Sequence, residues 1–311
     1  MNLIETQDLV KTYAHKNAVD HVNMHIPEGS IYGFVGENGS GKTTIMRLLT
    51  GLAEPTHGSF TLNGVSNKSS EIYKVRKQMS AIVETASMVP SMTARENIIY
   101  QSLYLGIKIT DEEIDDLLTK VHLEGVGNKK ARNFSLGMRQ RLGIALALMN
   151  KPKLMLLDEP MNGLDPQGIA DLRDLLIELN EKEGMTILIS SHILSELEKI
   201  ASHYGFISHG KLVEEITVEE LQNRCRKSTT IMVDKIDEVE EALKALKIKD
   251  FKIYPNGDVQ IFDEIDVSDL VVNFQKKKIK ILSINSTDEG VEDYYLKLIK
   301  SVEENADKEA K

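Results

Sequence analysis

The chain has no tryptophan, one cysteine, and an aromatic share of only 5%. Its core is therefore expected to be built from Leu, Ile, Val and Met. A lone thiol, Cys225, excludes an internal disulfide and fits a reducing compartment. No apolar run approaches the roughly 18 residues that a membrane span needs. The first eleven residues lack the basic start and apolar centre of a signal peptide, so none is expected there. Positive charge is also short: 38 Lys and Arg stand against 48 Asp and Glu, a net −10. Such a balance opposes approach to phosphodiester backbones or anionic lipid, so no nucleic-acid partner is expected. The basic run Lys276 to Lys280 is short and reads as a solvated element end.

What is present suffices for two domains. A length of 311 residues, 41% of them hydrophobic, accommodates a large domain of about 200 residues and a small one of about 100. Residues 3–13 and 18–26 alternate apolar with polar and read as strands. Ser30 to Val35 is a short apolar strand that runs into a glycine-rich loop. A helix is expected from Lys42 to about Thr50, stopped at Gly51. The segment from about 92 to 150 is helical in pattern. Thr110 with Glu113 forms a capping box there, and Ser135 caps a further helix. Leu154 to Leu157 and Met185 to Ile189 read as buried strands. Between them Asp165-Pro166 opens a long helix that Gly184 closes. Strands alternating with helices imply an α/β domain with a mostly parallel sheet covered on both faces. After about residue 220 the pattern changes to short strands (229–233, 251–254, 259–262, 279–284) and helices (236–247, 266–275, 288–300). Three segments are expected: 1–220, a compact α+β module over 221–302, and a disordered tail over 303–311.

The chemistry starts at Gly36-Glu37-Asn38-Gly39-Ser40-Gly41-Lys42-Thr43-Thr44. It fits G-x-x-x-x-G-K-[ST] and lies between an expected strand and an expected helix, the context such a loop requires. Glycines at 36, 39 and 41 let the backbone wrap a phosphate chain, with Asn38 and Ser40 between them. The helix start presents N–H groups to the same anion. Lys42 is expected at the β- and γ-phosphates, and the hydroxyl of Thr43 at Mg²⁺. A second signal is Leu154 to Glu159, an apolar strand that delivers two carboxylates at its C-terminal end. Asp158 suits Mg²⁺, and Glu159 suits a general base for an attacking water. His192 follows the next buried strand and two serines, placing it for a γ-phosphate contact.

At Asn133-Phe134-Ser135-Leu136-Gly137-Met138-Arg139-Gln140-Arg141 the chain resembles the signature segment of the ATP-binding-cassette (ABC) family. The order of motifs over about residues 1–220 is similar throughout. The resemblance implies a P-loop ABC fold with a mixed sheet core, an antiparallel β part and a helical signature arm. It implies Tyr13 stacking on adenine, ATP and Mg²⁺ as cofactors, and His192 as the switch histidine. Asn162-Gly163-Leu164-Asp165 resembles the family's dimer-contacting loop. Two cassettes, in a homodimer or a heterodimer, would then trap ATP between them. Ser135 and Gly137 of each would face the γ-phosphate held by the other. Two positions depart from the usual signature, Leu136 and Met138. Glu84 stands where most members carry a glutamine that ligates Mg²⁺ and senses the membrane partner. That carboxylate, with the segment Pro90 to Asn97, resembles the bacitracin and lantibiotic export and self-immunity branch. The implied function is ATP hydrolysis coupled to export of a peptide antibiotic, with separate permease subunits. The chain would then lie in the cytoplasm, peripheral on the inner face of the membrane. The alternative is a soluble ABC protein acting on ribosomes or nucleic acid. Such proteins usually carry two cassettes or a long coiled-coil insertion, and neither is visible here.

Overall fold

The computed structural model describes residues 1–85, 87–225, 228–263, 265–287 and 290–309. The chain divides into two units, Met1–Val218 with Ile299–Lys311, and Glu219–Leu298.

The first unit opens with β1 (Asn2–Tyr13), β2 (Lys16–Val22) and β3 (His25–Pro27), followed by β4 (Ile31–Val35) and α1 (Lys42–Thr50). Next come β5 (His57–Leu62), β6 (Val65–Ser66), α2 (Ile72–Arg76) and β7 (Met79–Ile82). A helical arm follows: α3 (Ala94–Leu105), α4 (Asp111–Lys120), a single turn at Ala131–Asn133, and α5 (Leu136–Leu148). The chain returns as β8 (Leu154–Asp158), α6 (Pro166–Glu183), β9 (Thr186–Ser191) and α7 (Leu194–Leu197), and closes with β10 (His203–Ser208) and β11 (Lys211–Thr217).

Two sheets result. One is antiparallel, in the order β2-β1-β5-β6, with β3 added to β1. The other has six strands in the order β11-β10-β4-β9-β8-β7. It is parallel from β10 to β7, and β11 adds an antiparallel edge. Every residue of β4, β8 and β9 is buried, as expected for strands covered on both faces. The main core combines Ile4, Leu9 and Val19 with Phe34, Ile45, Leu156 and Leu188.

Local chemistry fixes the helix ends. Thr110 and Glu113 form the anticipated capping box, and Asp165 caps α6 with Pro166 at its first turn. A second box, Thr93 with Glu96, opens α3.

The second unit contains α8 (Val218–Arg224) from its second residue on, β12 (Ser228–Val233), α9 (Val239–Ala245), β13 (Phe251–Ile253), β14 (Asp258–Ile261), α10 (Val267–Lys276), β15 (Ile281–Thr287) and the start of α11 (Val291–Glu309). Its sheet is wholly antiparallel, in the order β13-β14-β12-β15. From β12 to β15 the chain runs β-α-β-β-α-β, the split βαβ or ferredoxin-like arrangement. Ile231, Val259 and Ile261 pack with Leu243, Leu270 and Phe274 in its own core.

Three differences from the sequence reading stand out. The hairpin β10–β11 and strand β7 were not anticipated. The last strand starts at Ile281 rather than 279. Helix α11 reaches Glu309, through most of the segment expected to be disordered, while 310–311 lie outside the described residues.

Candidate nucleotide-binding and hydrolysis site

Strand register builds the site. In the core sheet β4, β9 and β8 are neighbours, and their C-terminal ends lie side by side, with Val35 opposite Ser191 and Asp158 opposite Ser190. Ligands of open α/β sheets bind outside such strand ends. The loop leaving β4 carries residues 36–41, β8 ends on Asp158, and β9 delivers Ser190 and Ser191.

The loop has the shape of a phosphate cradle. Gly41 sits at φ +115°, and a Cβ there would lie 2.5 Å from the carbonyl oxygen of Ala18, so only glycine fits. At Gly36 a Cβ would meet the Ile207 carbonyl oxygen at 2.5 Å. The loop is anchored where the Gly36 N–H donates to the Ser191 carbonyl at 3.3 Å. Helix α1 then starts with no side-chain cap and no acid in its first turn. By contrast α3, α4, α5 and α6 are each capped by a side chain. The first N–H groups of α1 are thus left to an external anion. The Ser40 hydroxyl oxygen nearby is buried and without a partner.

One network joins the charged residues. Lys42 is only 4% exposed. Its Nζ donates to the carbonyls of Gly36 at 2.6 Å and Glu37 at 3.1 Å, and lies 3.1 Å from Glu159 Oε1. That last contact is an ion pair without hydrogen-bond alignment, since Glu159 Oε1 makes no hydrogen bond. The Thr43 hydroxyl donates to Asp158 Oδ2 at 2.8 Å. The Ser190 hydroxyl, fully buried, donates to Asp158 Oδ1 at 2.7 Å and accepts the Glu159 N–H at 2.9 Å. Glu159 Oε2 lies 2.8 Å from His192 Nδ1. Glu159 itself holds a left-handed backbone, φ 48°, a conformation that concentrates at functional sites. Behind the histidine, burial pushes the Glu196 carboxyl up, against an opposing hydrogen bond from Ser191 and the nearby His192.

Sequence reasoning placed Lys42, Thr43, Asp158, Glu159 and His192 in one site, and the structure brings all five together. It did not give Ser190 a role. The only signal was a pair of serines before the histidine; the β8–β9 register supplies the rest.

The other candidates sit apart from this network. Tyr13 ends β1, is 46% exposed, and carries Lys11 Nζ 5.1 Å from its ring centre. Ser135 caps α5 by accepting the Met138 N–H at 3.2 Å, which leaves its own O–H free to donate. At Gly137 an added Cβ would meet nothing closer than Leu164 at 3.7 Å, so nothing inside the chain demands glycine. Glu84, at φ 67°, is ion-paired with Arg47 in the last turn of α1.

The oxygens present fit a Mg²⁺ ion held together with phosphates. Thr43 Oγ1 and Asp158 Oδ2 already converge at 2.8 Å. Among the described residues no three His, Cys, Asp or Glu side chains cluster to hold a metal alone. Mg²⁺ bound through substrate phosphates and water requires no such cage.

Residues 19–162 match the ABC transporter family. The bacitracin transport ATP-binding protein BcrA of Bacillus licheniformis is 39% identical over 299 residues, 96% of this chain and 97% of that protein. The chain belongs to the ABC transporter family. The lantibiotic transport ATP-binding protein SrtF of Streptococcus pyogenes is 42% identical over 221 residues, 71% of this chain and 93% of that one. Among solved structures, the ATP-binding cassette MJ0796, a dimer in a post-hydrolysis state with ADP and Pi, superposes with a TM-score of 0.62 at 26% identity, over 69% of this chain and 98% of that one. The fold is thus an ABC cassette, and the chain is an ATP-binding, ATP-hydrolysing member of the family. Among the described residues no helix is long and apolar enough to cross a membrane.

Proposed function

We propose that this chain is the ATP-hydrolysing subunit of an exporter that protects a cell against a peptide antibiotic of the bacitracin or lantibiotic kind. The observation that carries the reading is the network that runs from buried Lys42, Asp158 and Ser190 through Thr43 and Glu159 to His192 at the surface, in a chain related over nearly its whole length to a bacitracin transport protein. The soluble alternative on ribosomes or nucleic acid is not favoured by any of these relatives.

Each residue then has a task. The loop from Gly36 to Thr44, with Asn38, Gly39, Ser40 and Gly41, wraps the phosphates, and Tyr13 stacks on adenine. On ATP binding Lys42 exchanges its carbonyl contacts for β- and γ-phosphate oxygens. Thr43 and Asp158 would hold Mg²⁺, joined by Glu84 once it leaves Arg47, and the ion would neutralise phosphate charge. Glu159 orients a water and takes its proton, while His192 holds that carboxylate and reaches the γ-phosphate. Ser135 and Gly137 of a second cassette complete the pocket and exclude water, donating from the start of α5. A glycine that its own chain does not require is what such an approach calls for.

A permease supplies the membrane path and keeps the chain at the inner membrane face. We place its docking at a groove of about 420 Å³ beside Glu84, lined by Leu52, Val83, Gln101, Leu105 and Leu146. The test is co-expression in a sensitive host with a permease encoded beside this chain's gene. Growth at raised bacitracin or lantibiotic, lost with Glu159→Gln, is the expected result. Equal protection by that variant, or none from the native pair against either class, would defeat the proposal.

A further inference from the structure

The second unit ends its sheet on an open edge. β15 is last in the order β13-β14-β12-β15 and spans seven residues. The opposite edge, β13, is three residues long with an exposed Lys252 at its centre. Shortness and charge are the usual guards against strand-to-strand association. β15 has neither: Ile281-Leu282-Ser283-Ile284-Asn285-Ser286-Thr287 contains no charge and no proline. Beside it runs a groove of about 480 Å³ lined by Val271 and Gln275 of α10 and by residues 279–284. Leu282 is 60% exposed there, an unusual state for a leucine on a strand. Val267, Val271 and Gln275 recur every four residues and so share one face of α10.

The flanks of β15 are opposite in charge. Lys276, Lys277, Lys278 and Lys280 precede it, and Glu292 and Asp293 follow it in the sequence. Lys277 is engaged with Glu241 at 3.0 Å. An identical strand laid antiparallel sets lysines against acids at both ends. A parallel one sets lysine against lysine.

We propose that β15 pairs antiparallel with β15 of a second copy of this chain, joining two four-stranded sheets into one of eight strands. The pairing is its own two-fold mate, the commonest symmetry of soluble dimers. It satisfies the outward backbone groups of both edges and covers Leu282 and the α10 face. A single edge joint buries less than the roughly 1,200 Å² of a stable interface, so it is weak in isolation. It becomes effective when one transporter holds two copies side by side, because the second contact is then intramolecular. The inference deepens the proposed transporter reading: it makes the second cassette another copy of this chain.

Sedimentation equilibrium of the full chain without nucleotide tests it, over a concentration series into the hundreds of micromolar. Wild type should show a reversible monomer–dimer equilibrium. Leu282→Lys, which puts a charge on the edge, should raise the dimer Kd about tenfold or more. The double variant Lys278→Glu with Lys280→Glu should raise it several-fold, and added salt should weaken wild type in the same direction. Hydrogen exchange over 281–287 should slow as concentration rises. A chain that stays monomeric throughout, including one that instead binds an unrelated extended peptide, would overturn the proposal. So would a dimer indifferent to both variants. Association in Mg-ATP and ATP turnover, measured on the same proteins, report on the cassettes separately. The variants keep both, so failure of the edge joint is distinguishable from failure of the transporter reading.

Discussion

Ser190→Ala removes one oxygen that organises two carboxylates. In the native chain that hydroxyl accepts the Glu159 N–H at 2.9 Å and donates to Asp158 Oδ1 at 2.7 Å, at a fully buried position. Without it the N–H of Glu159 is left unpaired, and Asp158 keeps only its Thr43 partner on the other oxygen. A buried donor without a partner costs about 1–3 kcal/mol, and loss of a hydrogen bond to a charged acceptor adds a similar amount. Because both losses are local and water can partly relieve them, about 2–4 kcal/mol in total is expected. For a domain of roughly 200 residues each kcal/mol moves Tm by about 2–4 °C, so Tm should fall by roughly 5–15 °C. The catalytic effect is separate. A displaced Asp158 and a tilted Glu159 should lower turnover by about tenfold or more, equivalent to about 1.4 kcal/mol of barrier. Differential scanning calorimetry and a phosphate-release assay on the same preparation read both quantities. An unchanged Tm with unchanged turnover would refute the argument that this serine sets the site.

Three further perturbations separate folding from function. Gly137→Ala should leave Tm unchanged, because its Cβ finds ordinary space at 3.7 Å, yet lower ATP turnover about tenfold or more where a second cassette must approach. Equal turnover would place α5 outside the shared site. Glu84→Gln should change the Mg²⁺ titration of ATPase activity or the coupling to export more than ATP affinity, measured by calorimetric titration, and identical Mg²⁺ curves with identical export would remove Glu84 from the metal shell. Thr93→Ala strips the cap of α3, where the Thr93 backbone and hydroxyl hold Glu96 charged and its carboxyl below the usual range. It should cost about 1 kcal/mol in urea unfolding. Native cap stability, present above the ordinary carboxylate pKa, should fade as pH falls through the lowered value; Glu96→Gln, which has no charge to lose, should remove that fade, and an unchanged pH profile in Glu96→Gln would contradict the box.

The site was legible because its chemistry is written in contiguous strings. The loop at 36–44 and the Asp158-Glu159 pair each sit at a strand end that periodicity alone locates. Ser190 was not legible, since its role comes from register: only the pairing of β8 with β9 sets it opposite Asp158. The Arg47–Glu84 ion pair also escaped, because its partners stand 37 positions apart in the chain. In the fold, β4, β8 and β9 were evident as unbroken apolar runs, whereas β7 is only four residues long and partly exposed, and carries no such pattern. The β10–β11 hairpin hid because β11, Lys211–Thr217, is half-buried and mixes charge with apolar residues. In the second unit the β-α-β-β-α-β order was legible as interleaved strand and helix segments, whereas the spatial order β13-β14-β12-β15 depends on long-range pairing of four short strands, which local propensity cannot rank.

The central claim is that Glu159 drives hydrolysis of an ATP gripped by Lys42 and closed over by a second cassette. ATP retention and turnover by Glu159→Gln test it most directly. The variant should bind Mg-ATP as tightly as the native chain, release phosphate about 100-fold or more slowly, and accumulate as an ATP-filled dimer on a sizing column. Native turnover in that variant, or loss of ATP binding along with turnover, would contradict the account.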